Sequence, residues 1–531
     1  MKIGSQILNA LGLTTKREAK RLHTHYRGFN AAKYNRLQKD WTRTRREINA
    51  EIKDDWQALN ARAFDASLNN PIVAGMLLDD RMFAVGPQGF DFQPMVKRGY
   101  SDEEDELANT VLANKFEEFS SEEYFTVTKR FSRHAIENLI SDDLIIDGAF
   151  IFRVLYSGEP VRDNPFGMTL EKLDIKDIDF KYNAELSNGN TVLMGVEIDK
   201  WRRIVNVHFK VKSIYDELRG SFDTYRDRFA IPYEDLIFGY DPKHYKIVHG
   251  ITALSSILIP LVDVDMWENY SIQNAKHSAA KMGFIQTSET NPNIYSADDV
   301  EESDEEDVES GKYMDVDGGT IEKLARGYQF QGFDPKFPHE QHAPFVRSNG
   351  RKICTGTGRD YAYTYGDREG ESYSSGRTGE LKMRGFYAYK QSIIIEQFEN
   401  RVVNKWLKFA LLNDALLPLQ YESIKRYQKF YFQGYVRPWV DMLKEAAANK
   451  VGEDAGYISK NQIVTQSGGR LEDVFRDRVM YERYKKKYGI DIEKQDNSMT
   501  QIKVEDEPDD ENKNKPDKEK RNSSLTVVHN F

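Results

Sequence analysis

Four stretches of this chain carry residue types that do chemistry, and spacing decides what each one means. His339-Glu340-Gln341-His342 sets two imidazoles beside a carboxylate. A zinc-protease helix needs its histidines four apart on one face; these are three apart, and Pro338 and Pro344 disfavour one regular helix there. A turn leading into a helix is the better reading. Gly356-Thr357-Gly358-Arg359 has the glycines of a phosphate loop, but no strand precedes it and no Gly-Lys-Ser/Thr follows. Ser374 and Ser375 lack the Gly-x-Ser-x-Gly setting of a nucleophile elbow. From Asp298 to Glu309, nine of twelve residues are acidic: Asp298, Asp299, Glu301, Glu302, Asp304, Glu305, Glu306, Asp307 and Glu309. The run lacks the spaced ligands and glycine of an EF-hand loop. It repels itself, which predicts a mobile loop. With no Walker A loop and no nuclease-type carboxylate cluster, we expect no catalytic residue, no metal site, no cofactor and no motor activity.

The whole chain sets wider bounds. At 531 residues it exceeds one hydrophobic core, so two or more modules are expected. Charged residues make up 30% and the mean hydropathy is −0.67, which leans towards an elongated or assembly subunit. Cys354 is the only cysteine, so no intrachain disulfide forms, and a reducing compartment is expected. Met1–Gly12 has too short an apolar run for a signal peptide, and the most apolar stretch, Ile251 to Trp267, is broken by Pro260, Asp263 and Asp265. No membrane association is expected. The net charge of −10 is unevenly spread. Residues 1–46 hold twelve Lys/Arg against Glu18 and Asp40, a net +10, which leaves −20 on the remainder. A basic arm on an acidic body suggests polyanion contact at one end, although a solvated basic helix explains the arm equally well.

The elements that must position these residues follow from periodicity. Ile52, Trp56, Leu59 and Ala63 predict a helix over 48–65. Pro71 suits the first turn of another, whose apolar face is Val73, Met76, Leu77 and Phe83 and whose end is Gly86-Pro87. Helices are expected at 102–120 and 124–146. Strands are expected at 149–155, 191–198, 204–211 and 231–238. Residues 250–283 return to helix, with Leu254, Leu258, Leu261/Val262 and Met266 as one stripe and Asp263, Asp265 and Glu268 off it. Residues 284–333 read as strand-poor. Arg377 to Leu412 is the longest helical pattern, roughly 50 Å at 1.5 Å per residue, with Gly379 and Gly385 expected to kink its first turns. Three helices come next, from Trp439 to Gly489, and residues 491–531 have a disordered composition.

Eleven segments, in order, resemble the lambda-type portal family of tailed bacteriophages. Tyr26-Arg27-Gly28-Phe29 with Trp41 resembles its opening, and Leu59 to Arg62 with Leu68 to Ala74 resembles the Asn-Asn-Pro motif. There Ala63 to Ser67 replaces a basic stretch. Phe83 to Gly86 with Phe92-Gln93-Pro94, Asp147 to Phe150, and Gly195 to Arg202 match further turns. So do Ile231 to Phe238 with Gly250 to Leu254, Val316 to Ile321, and Phe333 to Pro338. Tyr361 to Asp367, then Tyr373-Ser374-Ser375-Gly376-Arg377, resembles the family's "NYSSxR" signature, with Ser372 in place of Asn. Arg437 to Ala446 resembles "WVDPxKEA".

The resemblance implies an α+β, mainly helical portal fold of wing, stem, clip and crown, assembling as a dodecameric ring with an axial channel. By that division residues 1–24 are a basic arm and 25–249 the wing. Residues 250–283 are one stem helix, and 284–335 the clip with the acidic loop 298–309. Residues 336–355 are the second stem helix and 356–376 a tunnel loop. Residues 377–439 are the long wing helix and its following segment, 440–490 the crown and 491–531 the tail. The implied role is the channel for DNA packaging and ejection at a capsid vertex of the virion, after assembly in the host cytoplasm. The implied partners are double-stranded DNA without sequence specificity, terminase, head-to-tail connector proteins, and major capsid and scaffold proteins. Arg359, Arg368 and Arg377 are expected to give weak phosphate contacts, and Tyr361, Tyr363 and Tyr365 to line the loop or pack between subunits. Two other readings stay open on sequence alone. One is a nucleic-acid-processing enzyme with a divergent active site. The other is a different phage connector ring, against which the chain length argues.

Overall fold

In this computed structural model, residues 45–99, 103–211, 227–279, 283–287, 328–332, 342–437, 442–469 and 471–488 are described. They fall in two units, one ending at Asp454 and one beginning at Ala455.

Helix α1 (Ile48–Asn69) buries Ile52, Trp56 and Ala63. Asn70 then ends α1 and starts α2 (Pro71–Asp80): its side chain accepts from the Ile72 and Val73 amides at 3.0 and 3.1 Å. This is the N-cap geometry, and Pro71 at the first position lacks an N–H that would need a partner. A π turn (Arg81–Val85) extends α2, and Gly86, at φ 83°, ends it as expected.

Strand β1 (Asp91–Pro94) leads to α3 (Glu106–Phe119) and the short α4 (Glu122–Phe125). The helix expected over 124–146 is broken between α4 and α5 (Arg133–Ile146). The backbone pairs sideways there instead: the Val127 amide donates to Leu170 O at 3.0 Å, and Lys129 takes φ 51°.

Strand β2 (Ala149–Leu155) pairs antiparallel with β3 (Thr169–Leu173). A second sheet forms from β4 (Ala184–Glu185), β5 (Thr191–Leu193), β6 (Val196–Ile198), β7 (Ile204–Lys210) and β8 (Arg228–Pro232), in that order. The strand expected over 231–238 is two strands. Pro232 fixes the exit from β8, a 3-10 turn (Tyr233–Asp235) redirects the chain, and β9 (Leu236–Tyr240) pairs with β2 in the other sheet.

Helix α6 (Leu258–Ala279) begins later than expected, after a run of turns. Its stripe is corrected too. Leu254, Leu258, Leu261 and Val264 are buried within this chain, against Ala63, Val73, Met76 and Leu77. Val262 and Met266 lie on the opposite side and are exposed. Strands β10 (Gly283–Thr287) and β11 (Tyr328–Gly332) pair antiparallel, in a region whose composition reads as strand-poor. The acidic run 298–309, residues 1–44 and the tail after 488 lie outside the described residues.

Helix α7 (His342–Thr357) packs on α6, with Trp267 and Phe345 rings 4.6 Å apart. After the short α8 (Tyr361–Tyr365) come α9 (Tyr373–Ile394), a π turn (Ile395–Glu399) and α10 (Asn400–Leu412) as one continuous helical stretch. Its irregularity is the π turn, not the glycines. Gly379 instead allows close packing: a Cβ there would lie 3.1 Å from Asp360 Cγ. The π turn inserts a residue, so Phe398 and Glu399 both face the core. Helix α11 (Ile424–Tyr427), β12 (Phe430–Gln433), which pairs with β1, and α12 (Met442–Asp454) complete the first unit. The second holds α13 (Lys460–Gln466) and α14 (Leu471–Tyr488).

The largest core joins α3, α5 and β2 to the long helix, with Trp406, Phe398, Phe116, Phe119 and Phe150 fully buried.

Candidate functional site

The segment from α7 to the first turn of α9 carries the signature residues, and the structure ties it down from both ends. Asp360 caps α8, accepting from the Tyr363 amide at 3.2 Å, and Gly366, at φ 66°, ends it. Tyr361 and Tyr365 stack at 5.0 Å over Gly350 of α7, where a Cβ would lie 2.7 Å from Tyr361 Cε2. The Tyr361 hydroxyl donates to Asp367 Oδ2 at 3.0 Å, and Arg347 Nε reaches the same oxygen at 2.9 Å. The Glu369 amide, Tyr361 and Arg347 together hold the Asp367 carboxyl below its ordinary range. Ser372 and Ser375 form a reciprocal cap on α9.

Arg359 is buried within the chain. It is 2% exposed; Nη2 donates to Asp80 Oδ1 at 2.5 Å and to Met76 O at 3.1 Å, and its plane lies 5.0 Å from the Phe386 ring. Lys390 Nζ takes the other Asp80 oxygen at 3.0 Å. One buried carboxylate thus joins α2, the α7–α8 turn and α9. Burying Asp80 is tolerable because two cations satisfy it. The expectation of a phosphate contact from Arg359 is corrected on this ground. Sequence reasoning missed Asp80, although a signal existed: Asp79-Asp80 ends an otherwise apolar helix and so calls for a cation partner.

The remaining expected contacts differ in availability. Tyr361 and Tyr363 are half-buried. Tyr363 meets Phe83 edge-on at 6.2 Å, and the Arg437 guanidinium lies 4.5 Å from its ring. Arg368 is exposed. Arg377 reaches Glu445 of α12 at 4.0 Å. The Cys354 thiol is buried and pushed up to about 11, so it is not a ready thiolate. Among the described residues no group of three or more His, Cys, Asp or Glu is arranged to hold a metal ion. The segment is therefore a loop braced by these contacts, along which Arg351, Lys352, Arg368 and Arg377 are exposed.

The chain matches the family "Phage portal protein, lambda family" over residues 34–391. It belongs to that family. The match spans the Asn-Asn-Pro helix start, the β3-β2-β9 and β4-to-β8 sheets, α6 to α8 and most of α9. As a portal protein the chain is similar along nearly its whole length to a "Probable portal protein" of Halomonas phage phiHAP-1. The two are 26% identical over 502 residues, covering 93% of this chain and 94% of that one. Among solved structures, it resembles a chain in the neck of an empty GTA particle computed with C6 symmetry. The TM-score is 0.39 and the identity 11%, covering 78% of this chain and 94% of the other. It resembles a chain in the virion of a native gene transfer agent particle with the same score and identity, covering 78% and 93%. No helix among the described residues is long and apolar enough to cross a membrane.

Proposed function

We propose that this portal protein assembles as a dodecameric ring at one capsid vertex and forms the channel through which DNA is packaged and ejected. In that role it docks terminase during packaging and head-to-tail connectors afterwards, while capsid and scaffold proteins meet the wing. Residues 45–249 with α9 and α10 are the wing, α6 and α7 the stem, β10 and β11 the base of the clip, and α12 to α14 the crown.

One observation carries the ring. Ile259, Val262, Met266 and Tyr270 recur every three or four residues along α6 and are between 47% and 72% exposed. The buried Leu258, Leu261 and Val264 lie on the other side of the same helix. A helix apolar on both sides needs a second partner, and a neighbouring copy of the stem supplies one. The channel function asks for weak, sequence-independent DNA contact. Arg368 suits that, with Arg377 at the edge of the same segment, while Tyr361 and Tyr363 brace the loop.

Negative-stain electron microscopy of the purified full-length protein tests the proposal. Rings with a central hole and twelve-fold symmetry are expected. Small featureless particles at high concentration, in the presence of scaffold and capsid protein, would count against it.

A further inference from the structure

Helix α14 is charged unevenly along its length. Over Leu471–Tyr488 six cations stand against Glu472, Asp473, Asp477 and Glu482, a net +2. From Arg478 onwards five cations, Arg478, Arg483, Lys485, Lys486 and Lys487, face Glu482 alone, a net +4. Lysines suit the last turn of a helix, where carbonyls lack partners. Arg478 and Arg483 lie above that turn and spread the charge along roughly 15 Å. Arg478, Arg483, Lys486 and Lys487 are exposed and Lys485 is half-buried. Among the described residues none of the five forms an ion pair; Lys487 Nζ lies 5.6 Å from the centre of the Tyr488 ring. Exposed Phe475 and Val479 line a shallow groove on the same helix with Arg478, Glu482, Arg483 and Lys486.

The sequence that follows α14 carries the opposite charge. Residues 489–511 hold nine acids against Lys494 and Lys503, a net −7. Six of the nine fall in the seven positions Glu505-Asp506-Glu507-Pro508-Asp509-Asp510-Glu511, directly after Ile502 and Val504. Residues 512–531 hold five cations against Asp517 and Glu519, a net +3, so the negative charge ends at Glu511. Seventeen positions separate Tyr488 from Glu505, a reach of at most about 60 Å. That is several times the length of the cationic face, so the acidic run can return to every cation on it.

We propose that residues 502–511 fold back on the Arg478–Lys487 face of α14 in the same chain and cover it against other polyanions. A single exposed ion pair contributes little, but six acids facing five cations form a network. Ile502 and Val504 supply apolar side chains for Phe475 and Val479. The tether holds the segment at an effective concentration on the order of millimolar, which a separate polyanion must match to displace it. The two partners are complementary in sign and adjacent in the chain, and neither the charge balance nor the reach depends on ring assembly.

The test uses the full-length protein. Carbodiimide cross-linking at low salt is expected to join carboxylates of Glu505 to Glu511 to Lys485, Lys486 or Lys487, in products that migrate as single chains on denaturing gels. A variant with Glu505→Gln, Asp506→Asn, Glu507→Gln, Asp509→Asn, Asp510→Asn and Glu511→Gln uncovers the face. It is expected to bind a fluorescein-labelled DNA duplex, used as a polyanion probe, about tenfold more tightly than the parent at low salt. Adding Arg483→Glu and Lys486→Glu, both at exposed positions, is expected to abolish that gain without changing the thermal melt. A control with Asp298→Asn, Asp299→Asn, Glu301→Gln, Glu302→Gln, Asp304→Asn and Glu305→Gln changes the net charge equally and is expected to leave duplex binding near that of the parent. The proposal is overturned by the absence of cross-links to Lys485–Lys487, by such cross-links only between chains, or by unchanged duplex binding when the run is neutralised. A gain that survives the α14 substitutions, or that the 298–305 control reproduces, overturns it as well.

Discussion

Glu137 on α5 and Glu399 at the end of the π turn share a single guanidinium. Arg133 Nη1 lies 2.7 Å from Glu137 Oε1 and 3.1 Å from Glu399 Oε2, and both carboxyls are fully buried. Arg133 Nη2 also donates to Phe90 O at 2.7 Å, and the Phe90 amide to Glu137 Oε2 at 3.3 Å. One cation cannot neutralise two buried carboxylates. Burial, reinforced by the neighbouring Glu399, raises Glu137 well above its ordinary value of 4.5 despite Arg133. Asp91, whose charge acts on Arg133, and His134, beside Gly89, are the other titratable groups close by.

This relationship makes stability depend on pH in a defined direction. A carboxyl raised on folding favours the folded state below its unfolded value of 4.5, and that contribution is lost as pH rises through the folded value. Glu137→Gln keeps a neutral, hydrogen-bonding side chain at every pH. The difference in Tm between this variant and the parent should therefore move in the variant's favour from about pH 5 to pH 8. A constant difference would mean that Glu137 is ionised throughout.

Arg359 is structural, and removing it exposes that. Arg359→Ala leaves Asp80 and Asp79 short of a cation in a buried site, and a loss of roughly 3 to 5 kcal/mol is expected. Arg368→Ala, at an exposed position, should stay within about 0.5 kcal/mol of the parent. Urea denaturation of the two variants side by side decides it, and equal midpoints would return Arg359 to the surface.

Trp406 sits at the centre of the largest core, 5.1 Å from the Phe116 ring and 6.1 Å from that of Phe119. Trp406→Ala should destabilise by about 3 to 5 kcal/mol. Trp406→Phe should cost less, because the indole N–H is buried without a partner and its removal relieves that loss. Thermal melts of the pair would show an ordering of parent, Phe, Ala; a reversal of the last two would contradict the packing.

Gly148 has φ 75°, and a Cβ on it would fall on the backbone of Ile251. Gly250 lies against Gly148 O in the same way. This contact brings the α5–β2 turn against the segment that leads into α6. Gly148→Ala is expected to cost at least about 1 to 3 kcal/mol from backbone strain alone. Soluble expression and Tm of the variant report it, and an unchanged Tm would mean that the two segments separate easily.

The exposed stripe of α6 should matter to assembly and not to the fold of one chain. Val262→Glu with Met266→Glu is expected to abolish rings while leaving the circular dichroism spectrum intact. Intact rings would place the subunit contact elsewhere.

Local rules made much of this protein legible from its residues. Asn70-Pro71 marked a helix start because an Asn side chain caps two amides and proline lacks the third. Gly86 marked its end because the chain needs a positive φ there. The periodicity of Phe398, Val402 and Trp406 announced the long helix, and the ordered motifs announced the family. What sequence could not decide were matters of partnership. Residues 231–238 read as one strand because each residue suits a strand; only the presence of two sheets divides them. Leu258, Leu261, Val262 and Met266 are all apolar, and only the packing of α6 on α1 and α2 determines which are core and which are exposed. Arg359 beside a tyrosine-rich turn reads as a surface cation, and it is buried because Asp80 and Lys390, far away in sequence, arrive beside it. Capping and periodicity act over a few residues, whereas burial and charge pairing depend on which distant segments meet, and that is settled only by the tertiary fold.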